Sequence, residues 1–237
     1  MNFNLRTAAS LALLGLANAF TYERLDKNNA LLLIVDMQEG LYSLARDFDA
    51  SVYKNGMYAH AALGKVFNLP VVMTSSSETG PNGPLPDEFL QWYPNAPLIK
   101  RQGEVDAWDN PQFKQAVIAA NKTQIILGGI TTDVCTTFLA LSLRDAGYSV
   151  WANHEASGTT TSYIRDMAND RMRAAGVQVV SYFAIVSELM RDWRNTPGAQ
   201  EIFPVLDEYL PAYGMVARAH RAAVNNGTVL AGENVLP

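Results

Sequence analysis

GGITTDVCTT, residues 128–137, joins an apolar run, QIILGGI (124–130), to a helical pattern, FLALSLRDAG (138–147). It also holds the only cysteine of a 237-residue chain. A buried strand that hands directly to a helix is half of a βαβ unit. The helix is expected from about Asp133, which puts Cys135 in its first turn.

Working outward, the same alternation recurs. ALLLIVD (30–36) is a continuous apolar run ending in an acid, as a strand buried on both faces would read. Helical spacing follows from about Ala50 to Asn68. LPVVMTS (69–75) is the next strand, and SSETGPNGPLPDEF (76–89) has the Ser, Gly and Pro of a loop. APLIKR (96–101) is a short strand. Asn110 caps a helix that opens with Pro111. YSVWANH (148–154) and VQVVSYF (177–183) are two more strands. The amphipathic YIRDMANDRMRAAG (163–176) lies between them, and helical AIVSELMRDWR follows. Beyond about Asn195 the chain reads as helix and loop, with Pro204 and Pro211 as punctuation. Six alternations without a linker or repeat predict a three-layer α/β/α doubly wound fold around a mostly parallel sheet.

In such sheets the ligand site lies beyond the carboxyl ends of the strands, where their order reverses. The residues there are Asp36, Ser75 and Ser76, Lys100 and Arg101, Thr131 to Cys135, and Asn153 to Glu155. Unpaired N–H groups and the dipole at a helix mouth stabilise a thiolate, so Cys135 is expected to ionise readily. Lys100 or Arg101 would add a cation. Asp36 is placed to take the thiol proton and later return it to a leaving group. The helix mouth also offers N–H donors to an oxyanion.

Composition limits the alternatives. The formal net charge is −5, which leaves no basic footprint for nucleic acid and little attraction to an anionic membrane. No metal is expected, because His60, His154 and His220 lack ligand spacing. His60 reads as a surface or packing residue of its helix. At the N-terminus a positive residue, a short apolar run and small residues before Ala19 form a secretory signal pattern, with cleavage expected after Ala19. Asn121 and Asn226 head Asn-x-Thr sequons. One cysteine allows no internal disulfide.

LLLIVDMQ, ETGPNGPLPDEF, GGITTDVCTT and EASGTTTS together resemble the isochorismatase-like cysteine hydrolase superfamily. NLPVVMTSSSETGPNGP, AWDN and ELMRDWRN resemble its YcaC-type subgroup, over about residues 27–196. The resemblance implies an Asp, a basic residue and a Cys as the catalytic set. Asp36 and Cys135 match. Many members carry Lys at the basic position, but the Arg-x-Gly before AWDN aligns Arg101 rather than Lys100. Strand alternation lets only one of the two face the site. The resemblance further implies a cis peptide at Ile130–Thr131 and oxyanion donors at the backbone N–H groups of Thr131 and Cys135. Trp108 is a candidate pocket wall.

Nicotinamidases of this superfamily bind a metal through Asp-x-His after the second strand. TSSSETG stands there instead, so neither a metal nor another cofactor is expected, and nicotinamide is not the expected substrate. The organisation expected is a signal peptide (1–19), a hydrolase domain (20–196) and a C-terminal helical arm or tail (197–237). The expected activity is metal-independent hydrolysis of a small amide- or imine-like substrate through an acyl-enzyme. The alternatives are vinyl-ether hydrolysis and a non-catalytic secreted effector that kept the fold. By resemblance, a tetramer or larger homo-oligomer is expected.

Overall fold

A computed structural model describes residues 22–230. The expected signal segment, residues 1–19, lies outside the described residues. Six strands form one sheet: β1 (Ala30–Val35), β2 (Val71–Ser76), β3 (Leu98–Arg101), β4 (Gln124–Gly129), β5 (Ser149–Asn153) and β6 (Gln178–Val180). All pairings are parallel, in the order β3-β2-β1-β4-β5-β6. The chain winds outward from β1 to β3, then returns to the other side of β1 at β4. The switch point therefore lies between β1 and β4.

Eight α-helices are described: α1 (Ala50–Phe67), α2 (Asp87–Trp92), α3 (Pro111–Ala119), α4 (Thr137–Asp145), α5 (Ser162–Ala174), α6 (Tyr182–Met190), α7 (Ala199–Tyr209) and α8 (Pro211–Asn225). Strand alternation sorts the core into two layers. Leu31, Leu33 and Val35 face Phe113, Val117, Leu139 and Met172 of α3, α4 and α5. Leu32 and Ile34 face Tyr53, Met57, Ile185 and Leu189 of α1 and α6. Both central strands are buried from end to end, which explains their unbroken apolar runs. The expected three-layer α/β/α sandwich is present.

Local chemistry sets the ends. The Asn110 side chain accepts from the N–H of Gln112 and Phe113, with Pro111 in the first helical position, as expected. The last strand is shorter than the run 177–183. Ser181 accepts from the N–H of Ala184, so Tyr182 and Phe183 open α6 rather than extend β6. Pro211 opens α8, but Pro204 lies inside α7 and does not end it. Ile202 and Leu206, both buried in the layer of Leu32 and Ile34, hold α7 on the domain across that proline. Among the described residues, no helix is long and apolar enough to cross a membrane.

His60 is not at the surface: it is fully buried under β1. Its Nε2 pairs with the Leu33 carbonyl at 2.9 Å, and its Nδ1 faces the Asn153 amide at 3.2 Å. A neutral ring donating from Nε2 and accepting at Nδ1 satisfies both. Burial pushes its pKa down to about 4, against the pull of the Leu33 carbonyl. An unfolded imidazole binds a proton below about 6.5, which the buried one refuses until about 4. Stability is therefore lost as pH falls through that window, by roughly 3 kcal/mol in all. Urea unfolding of wild type and His60→Gln between pH 7 and 4 checks this. The wild-type curve should fall more steeply, and parallel curves would contradict it.

Candidate active site

The site is assembled from the ends of β1, β3 and β4. Asp36 follows β1 with φ +52°, a left-handed conformation that Asp tolerates better than most residues. Its N–H continues the ladder to the Thr74 carbonyl at 3.0 Å, and its own carbonyl accepts from Gln38 N–H at 2.7 Å. This tight turn sets the carboxylate against the end of β3.

Arg101 is the last residue of β3, paired in register with Ser76. Its guanidinium donates to both oxygens of Asp36, and neither side chain has exposed surface. Nε donates to Thr74 Oγ1 at 3.0 Å and Nη1 to the Glu104 carbonyl. Lys100, one residue earlier, projects from the opposite face. Its side chain is 55% exposed and binds Glu78 at 2.8 Å. Alternation on one strand thus selects Arg101, and Lys100 does not reach the site.

Cys135 sits within a π-helical turn, Thr132–Thr136, that precedes α4. The expected α-helical first turn is replaced because two threonines bond backward. Thr136 Oγ1 donates to the Gly129 carbonyl at 2.8 Å, and Thr137 Oγ1 to the Thr132 carbonyl at 2.6 Å. Gly129 has no room for a side chain, since a Cβ there would lie 2.7 Å from the Val35 carbonyl oxygen. The Ile130–Thr131 peptide is cis.

The expectation of a readily ionised thiol is overturned. Burial pushes the Cys135 thiol up to about 12, and the charge and hydrogen bond of Asp36 add to it. Arg101 and the Thr131 backbone pull the other way and do not prevail. Burial likewise raises the Asp36 carboxyl above its ordinary value, against the opposing pull of Arg101 and Cys135. The resting site is therefore a protonated thiol facing a carboxylate of raised basicity. Arg101 donates to both of its oxygens, which favours the charged form.

Asp36, Arg101 and Cys135 open into a cavity of about 180 Å³, completed by Ser76, Ser77, Gly103, Glu104 and Val105. Val105, 53% exposed, stands at its mouth. Larger hollows exist, including one of about 520 Å³ lined by Arg24, Lys27, Glu188 and Arg191, but it holds no thiol. Trp108 does not wall the active cavity. Its ring packs on Tyr148 (centroids 5.9 Å apart) and under the Lys114 ammonium, drawn away by those partners. Ile130 is core, so only its backbone belongs to the site, whereas the half-buried Thr131 has its backbone at the sulfur. Asn153 binds His60, and Glu155 accepts from Tyr182 N–H, so neither reaches the cavity. His154 stacks edge-on against Phe48. Among the described residues, no group of three or more His, Cys, Asp or Glu side chains is placed to hold a metal ion.

Two residues were missed in the sequence. Gln38, in the quoted LLLIVDMQ, is buried and ties the Gly-Pro loop down. Its Nε2 donates to the carbonyls of Ser76 (3.0 Å) and Gly83 (2.5 Å), and its Oε1 accepts from Ser76 N–H at 2.8 Å. Glu104 lies three residues beyond Arg101, accepts from its guanidinium through the backbone carbonyl and lines the cavity.

Residues 30–182 match the isochorismatase domain model. The chain belongs to the isochorismatase family. The probable hydrolase YcaC of Escherichia coli K12 is 44% identical over 192 residues, covering 81% of this chain and 91% of that protein. The crystal structure of E. coli YcaC, described as an octameric hydrolase of unknown specificity, superposes with a TM-score of 0.82 at 42% identity, covering 86% and 99% of the two chains. YcaC from Pseudomonas aeruginosa, solved with hexane-2,5-diol and covalent acrylamide, gives 0.81 at 45% identity over 85% and 98%. The secreted isochorismatase effector Isc1 of Phytophthora sojae is 28% identical over 79% of this chain and 89% of its own. The family and its YcaC-type members make this chain an isochorismatase-like hydrolase.

A single cysteine makes the thiol easy to follow by its thiolate absorbance. Asp36→Asn should lower the Cys135 pKa, because it removes the neighbouring anion and leaves Arg101 uncompensated. It should also cost about 3–5 kcal/mol of stability, from the unpaired buried guanidinium. Lys100→Met should leave the thiol titration unchanged. A shift with Lys100→Met, or none with Asp36→Asn, would contradict this geometry.

Proposed function

We propose that the chain is a metal-independent cysteine hydrolase of small amide- or imine-like substrates, with Cys135, Asp36 and Arg101 as its catalytic set. The observation that carries this reading is the carboxylate of Asp36, pinned by Arg101 and facing the Cys135 thiol across one small cavity. Asp36 takes the thiol proton as Cys135 Sγ bonds to the substrate carbon. The backbone N–H groups of Thr131 and Cys135 stabilise the oxyanion. The leaving amine departs with the proton returned by Asp36, leaving a thioester. Water, deprotonated by Asp36, then cleaves the thioester and restores the thiol. Arg101 performs no proton transfer, because a guanidinium stays protonated. The covalent acrylamide in the P. aeruginosa relative fits a site that accepts small electrophilic amides.

The test is ammonia release from a panel of small amides, with acid-quenched mass spectrometry. Wild type should carry an acyl adduct on Cys135. Cys135→Ala should lose the adduct and turnover. Asp36→Asn should slow turnover by roughly 10²–10⁴-fold. Full activity in Cys135→Ala would instead favour vinyl-ether hydrolysis, which needs an acid and no thiol. No turnover of any substrate by the wild type would favour an effector without catalysis.

Two further properties belong to the same reading. Secretion with cleavage after Ala19 is supported by the signal pattern and by the name of the P. sojae relative. Homo-oligomerisation is supported by the octameric E. coli relative and by exposed Met215 and Val216 on α8. Mass spectrometry of the mature N-terminus and light scattering should give a chain beginning at Phe20 and a multiple of the monomer mass. An intact Met1 or a monomeric mass would overturn the respective property.

A further inference from the structure

The charges around the cavity are unequal. Among the described residues that line it, Arg101 is the only cation. Each of its three guanidinium nitrogens already donates to a protein oxygen, and Asp36 neutralises its charge at contact distance. Lys100, the nearest cation in sequence, is on the other face of β3 and paired with Glu78. That leaves Glu104. Its Oε2 accepts from Gly103 N–H at 3.2 Å and its Oε1 from the Asn110 amide at 2.9 Å. Hydrogen bonds from its own backbone, Gly103 and Asn110 hold the carboxyl down at about 2. Glu104 is therefore an anion throughout the neutral range, at the edge of a cavity whose other charges cancel.

We propose that Glu104 makes this cavity selective for neutral or cationic small substrates and repels carboxylates. The inference rests on the cysteine-hydrolase reading and adds to it the charge class of the substrate. A fixed charge beside a small cavity raises the local concentration of counter-ions and lowers that of co-ions. Among the described residues that line the cavity, no cation is free to receive a substrate carboxylate, and its desolvation would go uncompensated there. A dicarboxylate such as isochorismate fits the charge pattern poorly. A neutral primary amide, or an amide bearing an ammonium group, fits it well. Glu104 hydrogen bonds through its carboxylate to a backbone N–H and a side-chain amide, so Glu104→Gln removes the charge and retains an acceptor for either donor.

The test uses three methanethiosulfonates of known charge: methyl (neutral), 2-aminoethyl (cationic) and 2-sulfonatoethyl (anionic). Each forms a mixed disulfide with Cys135 and releases methanesulfinate, with the thiol proton passing to solvent. Rates are read by intact mass and divided by those of 2-mercaptoethanol with the same reagents. The normalised cation-to-anion ratio should be about tenfold or more at low salt. It should shrink several-fold in Glu104→Gln, and in wild type at high salt as the charge is screened. A ratio near one, or one unaffected by Glu104→Gln, would overturn the charge inference and leave the cysteine reading standing. A thiol that no reagent reaches in the folded protein would overturn both.

Discussion

A buried guanidinium, that of Arg101, holds a buried carboxylate, that of Asp36, and neither has any exposed surface. Removing two charges from water costs several kcal/mol each, and their attraction offsets this only when the remaining donors and acceptors are matched. Here they are matched. Thr74 Oγ1 and the Glu104 carbonyl take the other guanidinium nitrogens, and Thr74 in turn donates to the Ile99 carbonyl at 2.8 Å. The pair is poor evidence of stability and good evidence of purpose. It keeps an anion of raised basicity beside a thiol that is protonated at rest. Under the proposed mechanism, activation is deferred to the moment of attack, when the sulfur's charge forms against a substrate carbon.

The parallel sheet supplies the geometry that this pair requires. β1 and β4 adjoin at the switch point, so Asp36 and the cysteine turn leave the sheet side by side. β3, two strands away from β1, delivers a side chain long enough to reach back across β2. Close approach is bought with missing side chains: Gly129 lets the π-turn rest on β1, and Gly40 lets the Gly-Pro loop rest on the Asp36 turn. A Cβ at Gly40 would lie 2.1 Å from the Pro81 carbonyl oxygen. Gln38 then ties that loop to the end of β2, which places Ser76 and Ser77 at the cavity.

Much of this is legible in the sequence. The runs at 30–36 and 124–130 read as buried strands, and the acid and cysteine that follow them were expected at neighbouring strand ends. Strand alternation predicted that Lys100 and Arg101 would part company. What was not legible depended on partners distant in sequence. Trp108 was decided by Tyr148 and Lys114, and the depth of His60 by its seat under β1. Tyr182 and Phe183 carry strand propensity, but the Ser181 cap overrode it. Pro204 failed to break α7 because Ile202 and Leu206 are buried on either side of it. The thiol's proton affinity was the largest miss. A helix mouth, a cation and a neighbouring acid were visible in the sequence, whereas the burial that contributes most to the raised value is a property of the folded chain.

The state of that sulfur at rest is the central claim, and infrared absorption in the S–H stretching region observes it directly in a chain with one cysteine. The account predicts a single S–H band at neutral pH, displaced in Asp36→Asn because its hydrogen-bond acceptor has changed. The absence of any S–H band in the folded wild type at neutral pH would mean a thiolate at rest, and would contradict it.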